Sequence, residues 1–477
     1  MFDALVIGGG IAGLTTAYDL TRAGKRVCLV EQRPRLGGLI HTEHTAGLTI
    51  EAGPDALLMQ KPAAGRLCEE LGLPLAPTKA PRTAYVLRDG RFIPLPTESV
   101  LGIPIVWRSI IAAAMLSPAG RTRLALDFIQ PAQPSTQDDG ERDESVGAFV
   151  RRRFGDEVVR YIAQPLLGGI HVGDVDRLSL RALFPSLAEA DRQPGSVLRT
   201  LASRRQANAS ASDPEGVFRS IPNGLSDLVA ALSGHLDRSG VRTGVSVTRI
   251  EPGKDATPQA ISFDAFLSSD EVISARAMVL ALPAFAIADL AAPHDPALAD
   301  LCRGITYASS ASITLAYRRD AVDHPLTGSG FVVPRGEKET RLLAVSFVTS
   351  KWHGRAPDDV VVLRAFVGGV LDADLLERDD EDLVDLAHDG LAPLLGLRER
   401  PYLTRVYRLW RASPQYEPGH QARVEAIERR LADHPGIFFT GSAFRGVGIP
   451  DNVADARRTA AEVVKWLDAA SAVKMGD

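Results

Sequence analysis

The stretch DALVIGGGIAGLTTAYDLTRAG, residues 3–24, decides the fold class. Ala4 to Ile7 form a short unbroken apolar run, the pattern of a strand covered on both faces in a parallel sheet. Gly8, Gly9 and Gly10 follow at once, then Ile11, Ala12 and Gly13, and Leu14, Ala17 and Leu20 share one face of the helix that the spacing predicts next. Gly24 closes that helix, and RVCLVE (26–31) reads as a second strand that ends on Glu31, with Gln32 beside it. Glycines at 8, 10 and 13 permit a tight turn and close approach of a pyrophosphate, the helix N-terminus attracts its charge, and Glu31 can accept from ribose hydroxyls. The plainer alternative is a strand–helix–strand unit whose glycines only allow close packing. The acid at the right distance favours a dinucleotide.

The flanking sequence chooses among dinucleotides. RPRLGG (33–38) sets Arg35, Gly37 and Gly38 beyond the ribose-binding acid, with Leu39 next, and IEAGPDAL (50–57) is a strand that ends in the turn Gly53, Pro54, Asp55, Ala56. A nicotinamide cofactor needs neither addition. A longer cofactor such as FAD does: the first segment suits its pyrophosphate and the second its flavin end. A second glycine turn closes the chain. In FFTGSAFRGVGIPDNVADARRTAAEVV (438–464), an apolar strand runs into Gly441, Gly446, Val447, Gly448 and Ile449 and then a helix. Val453, Ala456, Ala460, Val463 and Leu467 give that helix an apolar face, with Asp451 as its expected N-cap.

Composition bounds the rest. A chain of 477 residues, 45% hydrophobic and 24% charged, implies two or three globular domains. The net charge of −5 argues against a nucleic-acid partner. Three widely spaced cysteines, Cys28, Cys68 and Cys302, make neither a zinc site nor a disulfide framework. No signal peptide is expected ahead of a strand that starts almost at Met1. IPIVWRSIIAAAML (103–116) is broken by Arg108 and too short to span a bilayer, so the expectation is a cytoplasmic protein, free or peripheral on the membrane face. Ten histidines are scattered, and neither paired carboxylates, a nucleophile triad nor a metal cluster stands at a recognisable spacing. No catalytic side chain or metal ligand is therefore assigned, as befits an enzyme whose cofactor carries the chemistry.

The chain resembles the glutathione-reductase-type FAD oxidases that include monoamine oxidases and phytoene desaturases, and within them the protoporphyrinogen and coproporphyrinogen oxidase family. The resemblance rests on GGGIAGL, RLGG, EAGPDAL, APRTAYVLRDGRFIPLP (80–96), ESVGAFVRRRFGDEVVRYIAQPLLGGIHVGDVDRLSLRALFPSL (144–187), SPQYEPGH (413–420) and GSAFRGVGIPD (441–451). It implies a multidomain α/β and α+β fold. A Rossmann-like FAD domain would comprise 1–76, 215–284 and 424–477, a mostly antiparallel substrate domain 77–97 and 285–423, and a helical membrane-facing or channel lobe 98–214. It places the C-terminal turn over the flavin, so that both glycine turns hold one non-covalent FAD, with the Val247 backbone at the adenine. Strands are expected in SASITLAYRR, RLLAVSFVTS and VVVLRAFVGG, and mobile loops at 130–145 and 203–216.

The activity implied is oxygen-dependent oxidation of a porphyrinogen, with hydrogen peroxide released. Arg82 would pair with a propionate, Gly169 and Ile170 would meet the macrocycle edge, and Val332 and Phe366 would sandwich its ring. Arg82 could equally be a surface ion-pair residue, and Val332 and Phe366 ordinary core. The sequence leans to protoporphyrinogen, because no further basic cluster surrounds these residues; coproporphyrinogen III is the alternative. Further expectations are a monomer or homodimer, and hand-over of product to the next enzyme of the haem pathway. Where relatives carry Trp ahead of the PQY motif this chain has Leu409, with Trp410 one residue late. An amine oxidase, a carotenoid desaturase and a non-catalytic carrier on the same fold are the rival readings.

Overall fold

Strand β1 (Phe2–Ile7), helix α1 (Ile11–Arg22) and strand β2 (Val27–Glu31) form where the pattern predicts them. Alternate residues of β1 serve opposite layers. Ala4 and Val6 pack with Leu14 and Ala17 of α1 and with Val453 and Val463 of the last helix, Ile449–Met475. Leu5 and Ile7 pack on the other side with Ala284, Ile287 and Phe439. Two covered faces are why the run is apolar at every position.

The computed structural model describes residues 1–129, 143–207, 215–253, 261–337 and 340–475. Its first sheet has seven strands drawn from three parts of the chain. β2 and β1 lie between strands Val241–Thr243 and Val272–Leu280, all parallel, and Ile437–Phe439 adds parallel to Val272–Leu280. Phe263–Leu267 and Val247–Pro252 extend the sheet antiparallel. A second seven-stranded sheet runs in the order 403–415, 306–318, 360–368, 344–347, 330–332, 84–88, 91–94. Its neighbours are antiparallel except 330–332 beside 84–88. One face, with Ile313, Leu315, Phe331 and Ala365, packs on helix Asp380–Leu395. Two of the expected strands are long, but RLLAVSFVTS is strand only over Ala344–Phe347, and Val348–Lys351 turns helical.

A third core is helical. Ile110, Phe149, Phe154, Ile162 and Leu198 meet in it. The apolar 103–116 stretch splits into the strand Ile103–Pro104 and the helix Trp107–Ala112. Among the described residues no helix is long and apolar enough to cross a membrane. Most of the two loops expected to be mobile, 130–142 and 208–214, lies outside the described residues, and Ser203 to Ala207 instead finish the helix Val197–Ala207.

Candidate cofactor and substrate site

The ends of three parallel strands are level: Ile7 pairs with Leu280, and Leu280 with Phe439. Both glycine turns therefore leave the same carboxyl edge of the sheet, where open α/β sheets bind ligands. Gly8 has φ +108°, and a Cβ there would lie 2.3 Å from the Ala281 carbonyl oxygen; one at Gly13 would lie 1.9 Å from that of Gly8. Gly10 differs. Its backbone is ordinary (φ −73°), and a Cβ would meet no atom of another described residue, its chain neighbours aside, within 4 Å. It precedes Ile11, Ala12 and Gly13, the first residues of α1, whose N–H groups have no intrahelical acceptor. An open notch before a helix N-terminus fits a pyrophosphate.

Glu31 is buried, and its carboxylate accepts from Gly9 N at 2.7 Å and Arg33 N at 2.9 Å, with Gln32 exposed beside it. Val245 N donates to the Glu31 carbonyl, so the strand that begins at Val247 starts at the same edge. The Arg35 loop folds over the first turn. Gly37 N donates to Gly9 O at 2.8 Å, and a Cβ on Gly38 would lie 3.1 Å from Gly10 Cα. Arg35 donates to the carbonyls of Leu36, Gly38 and Ile40, and burial lowers its pKa. It organises the loop. A Cβ on Gly53 would sit 2.0 Å from the carbonyl oxygen of Leu39, which passes from the Arg35 loop to the 53–56 turn.

That turn is held from the second sheet. Arg364 is buried; its Nη2 donates to the carbonyls of Ala52 (3.0 Å) and Gly53 (2.5 Å), and its Nε to Ser312 Oγ (3.0 Å). Asp55 accepts from Lys351 Nζ and Trp352 Nε1. Burial pushes the Asp55 carboxyl up, but the Lys351 and Arg364 charges and these hydrogen bonds pull it well below the ordinary carboxylate range.

The last turn is braced by Tyr416 and Asp455. Tyr416 donates to Ser442 O and accepts from Gly446 N, while Asp455 accepts from Thr440 Oγ1, Gly441 N and Arg445. Asp451 is not the N-cap. Helical bonding starts earlier, with Asn452 N donating to Gly448 O, which leaves Asp451 inside the first turn, ion-paired to Lys61. Asn452 Nδ2 reaches back to the carbonyls of Gly446 and Gly448. Val447 and Gly448 thus lie directly before Ile449 at the helix N-terminus. Thr16 of α1 donates to Ala456 O, crossing the two helices close to the ends that carry the glycine turns.

Beyond these turns the second sheet sets Ser312, Phe366, Ala344 and Val332 in one cross-strand row. A Cβ on Gly169 would touch Ala344 at 3.8 Å and Val332 at 4.0 Å, and Ile170 beside it is 63% exposed. Arg364 stacks on Phe366 at 4.7 Å, joining the row to the 53–56 turn. Gly169, Val332 and Phe366 therefore come together. Arg82 is exposed, donates to Thr78 O and Oγ1, and stands two residues ahead of the strand whose Val86 pairs with Val332. His171 is buried against Phe184, and burial lowers its pKa to about 4. Trp410 is 52% exposed, thrown outward where residues 410–412 bulge opposite Ser309. The three cysteines are buried, with thiols pushed up to about 11 at Cys28 and Cys68 and about 12 at Cys302. Among the described residues no cluster could hold a metal ion.

Arg364, Tyr416, Asp455 and Lys61 were not expected as parts of the site. Tyr416 stood in the SPQYEPGH marker, and Arg364 carried a physical signal: a lone charge inside the apolar strand VVVLRAFVGG has to be paired if buried.

Residues 11–464 match the family of flavin containing amine oxidoreductases. The chain is 31% identical to coproporphyrinogen III oxidase of Bacillus subtilis, over 97% of this chain and 98% of that protein. It is 24% identical to protoporphyrinogen oxidase 2, chloroplastic/mitochondrial, of Arabidopsis thaliana, over 98% and 94%. A crystal structure from Exiguobacterium sp. 255-15, provisionally described as a protoporphyrinogen oxidase, is similar with a TM-score of 0.84 at 29% identity, over 97% of this chain and 98% of that one. The chain therefore belongs to the flavin-containing amine oxidoreductase family, among its porphyrinogen oxidases.

Proposed function

We propose that this protein oxidises a porphyrinogen to the porphyrin with FAD held non-covalently between its two glycine turns. The level strand ends carry this reading, because they put both turns, the Arg35 loop and the 53–56 turn around one edge. Gly8 to Gly13, Arg35, Gly37 and Gly38 surround the pyrophosphate, Glu31 and Gln32 the ribose, and Val247 the adenine. Leu39, Gly53 to Ala56, Gly441 and Val447 to Ile449 enclose the flavin. Held by these residues, FAD would supply two-electron oxidation, needed three times for each porphyrinogen, with three dioxygen molecules as acceptors and three of hydrogen peroxide as product. The protein's own work is to hold a flat macrocycle between the Gly169–Ile170 backbone and the Val332–Phe366 row, keep water from that apolar face, and fix a propionate at Arg82.

Sheet membership supports the glutathione-reductase-type division proposed from the sequence: 1–76, 215–284 and 424–477 for FAD, 77–97 and 285–423 for substrate, and 98–214 as the helical lobe. That lobe exposes Trp107, Ile111 and Ile129, with Trp107 stacked on Phe128, a surface suited to peripheral contact with the cytoplasmic membrane face. Monomer or homodimer, and hand-over of the porphyrin to a following haem-pathway enzyme, complete the proposal. On substrate the greater likeness to the Bacillus subtilis protein favours coproporphyrinogen III over the protoporphyrinogen to which the sequence leaned.

The test is the initial rate on each porphyrinogen under air, with hydrogen peroxide counted. Three peroxides per porphyrin and faster turnover of coproporphyrinogen III are expected. A yellow protein inactive on both would refute the reading.

A further inference from the structure

Beneath the 51–55 turn lies a cavity of about 10 Å³, lined among others by Glu51, Asp55, Thr314, Arg355 and Arg364. Thr314 is 1% exposed, and its Oγ1 has no hydrogen-bond partner among the described residues. A buried hydroxyl left unpaired is costly, so it needs an acceptor or donor from somewhere. The space is that of a single water centre, for which about 10–15 Å³ suffices. The lining is mixed: Ile50, Val348, Trp352 and Val362 make its apolar wall, while Thr314, Glu51, Asp55, Arg355 and Arg364 bring the polar atoms that a water could bond. The Glu51 carboxylate already accepts from Thr42 Oγ1, Leu225 N and Arg355, yet carboxylate oxygens have further lone pairs to offer. On Arg364, Nε and Nη2 make the bonds to Ser312, Ala52 and Gly53, and no bond from Nη1 joins them among the described residues.

We infer that one ordered water occupies this cavity, bonded to Thr314 Oγ1 and to the charged groups around it. Thr314 lies on strand 306–318 of the second sheet, whereas Glu51 and Asp55 flank the turn placed at the flavin. The water therefore ties the substrate sheet to that turn, alongside Arg364. The water site stands on geometry alone; its link to the cofactor rests on the function proposed above.

Crystal structures of the FAD-loaded wild type, Thr314→Ser and Thr314→Val test it. The wild type and Thr314→Ser should show one solvent peak within about 2.6–3.2 Å of the residue-314 hydroxyl, and Thr314→Val, of nearly the same shape, should show none. In solution Thr314→Val should retain FAD about fivefold less tightly, the worth of one lost hydrogen bond, with Thr314→Ser close to wild type. An empty wild-type cavity, or a Thr314 hydroxyl bonded directly to a protein group, overturns the water. A dry Thr314→Val that binds FAD as the wild type does overturns the tie. If Thr314→Val does not fold, the wild-type and Thr314→Ser structures still decide whether the water exists. A wild type that shows the water but binds no FAD would refute the function and leave the water standing.

Discussion

The first and last glycine turns leave the same sheet edge, yet their glycines are there for different physical reasons. At the first, Gly8, Gly9 and Gly13 are closed in by the protein: a Cβ would strike Ala281, the side chains of Leu36 and Glu31, or Gly8 itself. At the last, a Cβ on Gly441 would meet nothing within 4 Å, and those on Gly446 and Gly448 would meet chiefly Asp451. What demands glycine there is φ, +124° at 441 and +144° at 446. The first turn is glycine-rich chiefly because the chain packs on itself, with a positive φ added at Gly8; the last chiefly because Gly441 and Gly446 need a positive φ. Gly10 belongs to neither kind: its φ of −73° is ordinary, and, its chain neighbours aside, no other described residue comes within 4 Å of a Cβ placed there.

The widest separation between the two should come from Gly13→Ala. Its Cβ collides with backbone that cannot rotate away, so a loss of about 3 kcal/mol or more is expected, read as a lower Tm of the apoprotein. An unchanged Tm would break the contrast. Glu31→Ala removes an acceptor from Gly9 N and Arg33 N as well as from the ribose, and should weaken FAD retention by about 1–3 kcal/mol, read as flavin occupancy after dialysis. Full occupancy would place the ribose elsewhere. Asp451→Asn should do least. It removes a half-exposed ion pair with Lys61 and a charge at a helix N-terminus, together about 0.5–1 kcal/mol. A modest fall in Tm that shrinks in high salt is the expected signature; a larger, salt-insensitive fall would mean that Asp451 supports the Gly446 and Gly448 backbone by packing.

The first unit was legible because each of its signals is local: an apolar run, glycines at fixed spacing, and an acid at the end of the next strand. The return of the C-terminal strand to the same sheet was not, since Ile437–Phe439 is a three-residue run that could join any edge; its place came from family resemblance. Asp451 was misplaced as a cap because the sequence shows which residue can cap but not that Gly448 already supplies the first helical carbonyl. Trp410 fits the same rule. A residue slipped by one in sequence becomes an outward-facing side chain once Ser309 Oγ, accepting from Arg411 N, fixes the bulge. Arg364 was in plain view as a charge amid apolar residues, but its partners, two carbonyls of the 52–53 segment, lie more than three hundred residues away in sequence. Close packing and short periodicity can be read from a sequence; pairing across the chain cannot.

The central claim is that the open notch at Gly10 is where the FAD pyrophosphate sits, and Gly10→Ala tests it most directly. Among the described residues nothing opposes that methyl group, so the apoprotein should melt at the wild-type temperature. The added carbon should nevertheless intrude on the cofactor and weaken FAD retention about tenfold or more, the equivalent of about 1.4 kcal/mol. Wild-type FAD retention in a normally folded Gly10→Ala protein would contradict the account.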